Sequence, residues 1–345
     1  MNSRKQSTGG PYHHAPVMLT EVLEAMTFRG GNVFVDGTFG GGGHTKALLS
    51  SSEDCEIIAI DRDNPPIDTI KKLEKEYQNR FKFYNTKFSN LPDVFAKRAI
   101  EKVDGILLDL GVSSFQLDDS ARGFSFQKDG PLDMRMGLSD ITAADIINNI
   151  EEDNLSALIN TYGEERHSRI LAKHIIESRK KSRIESTLQL SEIVKKSIGW
   201  AYKNQKGKYI HPATRTFQAL RIAVNSELEE ISKTLSFAGN LLDLGGRLVV
   251  ITFHSIEDRI VKSIFNNLTN QNLNFSRYDP IDFGKDNSFI YPSKKFIKPS
   301  KEEIELNPRA RSAKLRYIER TDKIFRENLD ISSINKSIKL LRGII

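Results

Sequence analysis

The residues best placed to do chemistry sit at three points of the first 120. The segment Val35–Thr45 reads VDGTFGGGGHT, following a β-branched run and opening a helical stretch. Its glycines would let backbone approach a ligand at a strand end with no Cβ in the way, so it reads as a nucleotide-type binding loop. The plainer alternative is a tight turn. Asp61 closes the run EIIAID at 56–61, 24 residues after Gly37, where a carboxylate can accept both hydroxyls of an adenosine ribose. Its alternative role is to cap the helix near Pro65. The strict GxGxxG of nicotinamide enzymes is absent, which favours S-adenosylmethionine over a dinucleotide.

The third point is Asp109 in LLDLGVSS, at the carboxyl end of the fourth apolar run. A donor held by the first loop would present its reactive group beside that carboxylate; otherwise Asp109 is a helix cap, a role that Ser113 and Ser114 serve equally well. Methyl transfer from a sulfonium is an in-line displacement that needs alignment at about 3 Å and no covalent intermediate when the acceptor is an amine. An exocyclic amine has its lone pair delocalised into the ring. A carboxylate accepting one of its hydrogens would localise that pair as the new bond forms, and Asp109 is the candidate. Methylation at ring carbon 5 of a pyrimidine would need a cysteine nucleophile. Cys55 is the only cysteine and lies before the second strand, so that chemistry is excluded.

The elements that must position these residues form a βαβ rhythm. Short apolar runs at 33–36, 56–61, 81–84 and 104–110 alternate with helical stretches such as 65–80, which predicts a parallel sheet covered on both faces, with ligands at the strands' carboxyl ends. From 117 to 212 the pattern turns helical, with pieces at 142–152, 155–161, 164–182 and 187–198, and reads as an inserted helical domain. The sheet pattern resumes with a long helix at 214–240, a turn at Gly245 and Gly246 and a strand at 247–253. Residues 266–300 look like loop or lid, 312–320 a last strand, and 331–345 a short basic helix. The predicted organisation is therefore a methyltransferase-type domain split into 1–116 and 213–345 around a helical insertion at 117–212, with a basic tail.

One cysteine excludes an intramolecular disulfide and a CxxC metal site, and no metal is expected. No run approaches a membrane span and the start lacks an apolar leader core, so a cytoplasmic chain is expected with no membrane partner. The net charge is +6, while residues 291–345 carry 14 Lys or Arg against 7 Asp or Glu. That local excess suits either a solvated tail or a polyanion contact.

The segments APVMLTEVLEAM, VDGTFGGGGHT, AIDRD, DGILLDLGVSSFQLDDSARGFSFQKDGPLDMRM, YGEER, HPATRTFQALRIAVNSELEEI, GGRLVVITFHSIEDRIVK and NPRARSAKLR stand in that order across residues 12–320. In this the chain resembles the bacterial RsmH (MraW) family. The resemblance implies a class I, Rossmann-like methyltransferase interrupted by a helical domain. It implies methylation of N(4) of a cytidine in the decoding region of 16S ribosomal RNA, S-adenosyl-L-methionine as cofactor, the small ribosomal subunit as partner, and a homodimer. It further implies Gly42, Gly43, His44, Asp61, Phe88, Asp109 and Gln116 as cofactor-binding residues. Taken alone, His44 would be a surface residue at a helix start and Phe88 a core aromatic. The sequence departs from many amino-methyltransferases in having Leu110 and Gly111 after Asp109, rather than a Pro-Pro-aromatic tail.

Phe115, Phe124 and Phe126 are candidates to stack on an extruded base, with core packing the alternative for each. Arg122, Arg135, Arg215, Arg221 and Arg259 are candidates for RNA phosphate contacts, with Glu257 and Asp258 able instead to hold them in ion pairs. Residues 164–183 place Arg166, Arg169, Lys173, Arg179, Lys180, Lys181 and Arg183 on a basic helix, with Ile170, Leu171 and Ile175 expected on its inner side. Such a face is either solvated or docks folded RNA.

Overall fold

The computed structural model describes residues 16–323 apart from 28, 138, 203–210, 270–286 and 293–295. The basic helix expected at 331–345 and the middle of the 266–300 loop lie outside the described residues. Seven strands form one sheet in the order β3-β2-β1-β4-β5-β7-β6: β1 (Val33–Asp36), β2 (Glu56–Asp61), β3 (Phe81–Asn85), β4 (Val103–Asp109), β5 (Leu242–Thr252), β6 (Phe289–Ile290) and β7 (Lys314–Arg320). The first five run parallel, β7 runs antiparallel to β5, and β6 antiparallel to β7. The order reverses between β1 and β4, so the crevice of this doubly wound sheet opens beyond their carboxyl ends, where the glycine loop and Asp109 lie.

Strands this short and apolar are buried on both faces, as parallel strands covered by helices must be. Side-chain alternation sends Val35, Ile58, Ile60, Ile106, Leu108, Leu248 and Val250 to one face and Phe34, Ile57, Ala59, Leu107, Val249 and Ile251 to the other. The second face is covered by α1 (Leu19–Met26), α2 (Gly43–Ser51) and α3 (Ile67–Tyr77), through Val22, Met26, Leu48, Leu49, Ile70 and Leu73. The first is covered by α4 (Leu91–Arg98) and by α11 (Glu227–Leu241) and α12 (Ser255–Leu268), and its core runs on without a break into the helical segment.

That segment holds the short α5 (Ser114–Asp118), then α6 (Ala143–Asn149), α7 (Glu152–Gly163), α8 (Ser168–Arg179) and α9 (Thr187–Ile198), followed by α10 (Ala213–Asn225). Residues 117–212, expected as an insertion, hold no named strand among the described residues. α10 packs on α7, α6 and α9. At the α7–α10 crossing a Cβ on Gly163 would lie 2.5 Å from the Arg215 carbonyl oxygen, so glycine sets how closely the two helices meet.

The single helix expected at 214–240 is instead two. Ser226 takes a left-handed conformation (φ 48°) between α10 and α11, and its N–H is bonded back to the end of α10. The Asn225 side chain fixes the break: its amide donates to the carbonyls of Met134 and Arg221, and its oxygen accepts from the Met136 N–H and the Ser139 hydroxyl. Each half then follows its own layer, α10 with the helical segment and α11 with the sheet. The strand expected at 247–253 starts earlier, at Leu242. Ile170, expected on the inner side of α8, is 43% exposed, whereas Leu171 and Ile175 are buried.

Candidate active site

Three strand tips converge, those of β1, β2 and β4. Asp36, ending β1, is buried and accepts from the Thr38 N–H at 3.1 Å and the Thr45 hydroxyl at 2.6 Å, which ties the loop's two ends together. The Thr38 hydroxyl in turn accepts the Asp109 N–H at 2.7 Å, joining loop to β4. Gly40 and Gly42 have positive φ, 52° and 74°. A Cβ on Gly42 would press to 2.7 Å on the Phe39 ring, and one on Gly43 to 2.6 Å on Pro16. Phe115 lies over Gly41 at 2.9 Å from where a Cβ would be, and Phe88 lies against Gly37.

Asp61 ends β2 half-buried, taking the Gly40 N–H on one oxygen at 2.7 Å and the Asp63 N–H on the other at 2.9 Å. Each oxygen keeps a lone pair for a further donor. Burial pushes its carboxyl up to about 6 against the pull of those two N–H groups, with Asp63 and Asp36 adding to the rise.

Asp109 is more exposed to strain of this kind. Its Oδ1 is buried with no hydrogen-bond partner, and Oδ2 lies 3.7 Å from His44 Nδ1. Burial first, then Asp36 and Glu257, raise its carboxyl well above the usual range. His44 is buried rather than on the surface, with Nε2 3.0 Å from the Val17 carbonyl oxygen. That nitrogen can only donate there, so a neutral ring turns its Nδ1 lone pair toward Asp109. Burial lowers His44, against the pull of Asp36. Among the described residues the crevice therefore gathers acceptors, and Asp36, Asp61 and Asp109 form no ion pair with a Lys or Arg. A cationic, hydroxyl-bearing ligand fits that donor set: two hydroxyls at Asp61 and positive charge at Asp109 and His44.

Gln116 is held by its neighbours. It forms a reciprocal cap with Ser113, and its amide nitrogen donates to Asp63 at 2.7 Å. Asp63 also accepts Arg122 at 2.7 Å, and so clamps the loop after β4 to the loop after β2.

A family model described as the MraW methylase family matches residues 11–321. Relatives named ribosomal RNA small subunit methyltransferase H include those of Xanthobacter autotrophicus, 47% identical over 92% of this chain and 90% of the relative; Parvibaculum lavamentivorans, 45% identical over 93% of each; and Ehrlichia canis, 45% identical over 88% of this chain and 99% of the relative. The chain belongs to the MraW methylase family. It is a methyltransferase, and the mostly parallel sheet expected from its sequence is the one it has, with β7 and β6 added antiparallel at one edge.

Of the arginines expected to meet phosphates in this family member, each has an internal partner. Arg122 bonds Asp63 and the Arg135 carbonyl, Arg135 forks onto Asp133, Arg215 donates to the Glu164 carbonyl near Glu165, and Arg259 pairs with Glu164. Arg135 and Arg259 remain partly exposed. Arg221 corrects the expectation: it is enclosed, forked onto Glu227 at 2.8 Å and 3.7 Å from Glu257, so its charge is used inside the protein. Burial alone would raise Glu257, but His254, Arg221 and the Phe253 N–H hold it low. Glu227, His254 and Glu257 bring three ligand-type atoms within 4.8 Å, yet both Glu227 oxygens already hold Arg221.

Phe124 is buried with Arg122 above its ring, and Phe126 stacks on His211 at 4.6 Å and meets Phe217 edge-on. These contacts are packing. Sequence reasoning missed Asp36, Thr38 and Asp63. The signals were present in VFVD, the threonine of the glycine loop and the second acid of AIDRD. Among the described residues no helix is long and apolar enough to cross a membrane.

Proposed function

We propose that the chain transfers the methyl group of S-adenosyl-L-methionine to the exocyclic N(4) of a cytidine in the decoding region of small-subunit ribosomal RNA, acting on the subunit in the cytoplasm. The relatives' names support the RNA class. The single observation that carries the chemistry is the partnerless buried Asp109 oxygen beside the glycine loop.

S-adenosyl-L-methionine, when bound, supplies the electrophilic methyl carbon and a positive charge. The Asp61 carboxylate accepts the ribose hydroxyls, the loop through Gly42 and Gly43 lets backbone close on the ligand, His44 and Phe88 wall it, and Gln116 fixes the far loop through Asp63. Asp109 then accepts a hydrogen of the incoming amine and localises its lone pair. As the amine nitrogen takes the methyl carbon from the bound cofactor, which would leave as the neutral thioether, Asp109 or its neighbour His44 takes the amine proton. Cytidine N(4) suits this arrangement because an acceptor, and no cysteine, stands at the β4 tip. The helical segment at 117–212, on one flank of the crevice, is the part that meets folded RNA. The homodimer implied by the resemblance stands as part of the same proposal.

The test is tritiated methyl transfer to small subunits purified from a strain lacking the enzyme, followed by mass mapping of the labelled nucleotide. Label at N(4) of a decoding-region cytidine is expected. Label elsewhere, or none, overturns the assignment.

A further inference from the structure

Trp200 is the only tryptophan in the chain, and 57% of it is exposed. An indole left this open is unusual for a residue that ordinarily hides most of its surface. Its orientation is nevertheless set: Nε1 donates to the Ser197 carbonyl at 3.1 Å, and the ring leans on His167, centroids 5.1 Å apart and tilted by 57°. The contact joins the end of α9 to the start of α8, so the ring stands on two packed helices rather than on a free loop.

The surroundings are basic. From Arg166 to Trp200 there are nine Lys or Arg against three Glu, a surplus equal to the net charge of the whole chain. Arg166, Arg169 and Lys173 are exposed beside His167, and Lys195 and Lys196 are exposed just before Trp200. Arg166, Arg169 and Lys173 have no ion-pair partner among the described residues, whereas Arg179 is turned inward onto the Ile147 and Ile150 carbonyls. Ile170, 43% exposed, lies between Arg169 and Lys173.

We propose that Trp200, with His167 beside it, is a stacking platform for an unpaired base of the ribosomal RNA, and that Arg166, Arg169, Lys173 and Lys196 hold the phosphates around it. A fixed aromatic face ringed by cations is the arrangement by which single-stranded nucleic acid is bound without sequence preference, since every base has a face to stack. The surplus of positive charge selects RNA over a protein partner as the occupant. The platform stands at the ends of α8 and α9 rather than at a strand tip, so it would hold a segment flanking the target rather than the target itself. This deepens the rRNA methylation reading and rests on it.

Because Trp200 is the sole tryptophan, its emission reports this patch alone. Titration of the full chain with a single-stranded RNA 12-mer is expected to quench that emission, with an apparent affinity that falls as salt rises. In methyl transfer to small subunits, Trp200→Ala should raise KM about tenfold with kcat unchanged, and Trp200→Phe, which keeps a ring, should recover most of the loss. Absence of quenching while the RNA binds by filter retention overturns the platform, as does a wild-type KM for Trp200→Ala. Quenching by ribosomal proteins but not by RNA overturns it in favour of a protein dock. Loss of methylation by the wild-type chain would instead sink the functional reading, so the two failures are separable.

Discussion

Two groups of buried acids lie within electrostatic reach of each other in this molecule and are treated oppositely. On the β5–α12 side, Glu257 is enclosed with Arg221 and His254, and Asp258 with Arg316 and Lys314 at 2.7 Å each; both are held below the usual carboxylate range in spite of burial. At the tips of β1, β2 and β4, Asp36, Asp61 and Asp109 are pushed up by burial first, and the charge of Arg62 near Asp61 does not reverse the rise. Burying charge without a partner is costly. A chain that pairs one set of acids closely with cations and, among the described residues, forms no ion pair between a Lys or Arg and the acids at three strand tips leaves room for a charge from outside. The paired side is architecture; the unpaired side is where, on the proposed function, a sulfonium donor would complete the electrostatics.

The sharpest way to break that comparison is to unpair the paired side. Arg221→Ala leaves Glu227 and Glu257 buried together without their cation, and should cost about 3–5 kcal/mol of stability, read as a lowered denaturant midpoint. A midpoint equal to wild type would show that the network is dispensable. On the unpaired side the opposite holds. Asp109→Asn should lower methyl transfer by about 10²–10³ while leaving the thermal midpoint of the ligand-free protein unchanged or higher, because it removes a carboxyl that burial opposes. A variant that is inactive because it is unfolded would contradict this.

The smallest effect is the pH dependence of Asp61. Its folded value, about 6, lies above the ordinary 3.8. The folded state therefore holds the proton more tightly, and the resulting stability is present in full below about 4 and is lost as pH rises through 6. Ligand binding should run the other way, since only the ionised group accepts both ribose hydroxyls. Calorimetric affinity for S-adenosylmethionine should improve several-fold from pH 5 to 7, and Asp61→Asn should flatten the slope. An equal slope in the variant would assign the titration elsewhere.

The strands, their parallel run and the places of Asp61 and Asp109 at strand ends were legible because a strand buried on both faces is a short apolar run, and the residue that ends it stands out; Asp36, which ends β1 in the same way, was passed over. The helices between β4 and β5 were legible for the same reason in reverse. The division of 214–240 was not: the apolar periodicity passes through Asn225 and Ser226 without interruption, and the left-handed turn depends on Met134, Met136 and Ser139, remote in sequence. The burial of Arg221 was equally hidden. Whether an arginine faces solvent or an enclosed glutamate is decided by which helices meet, and no spacing records that. Asp63 escaped notice because its role is to join two loops, each of which reads as complete on its own.

The knot at Asn225 bears on how the molecule comes apart. Arg62, just past β2, reaches the Asn225 carbonyl and the Ser139 hydroxyl, so one residue gathers strands of chain from near 62, from 134–139 and from 221–226. Segments cross-tied in this way open together or not at all. The helical portion is then no detachable module, and its amides should exchange with solvent in step with those of the sheet.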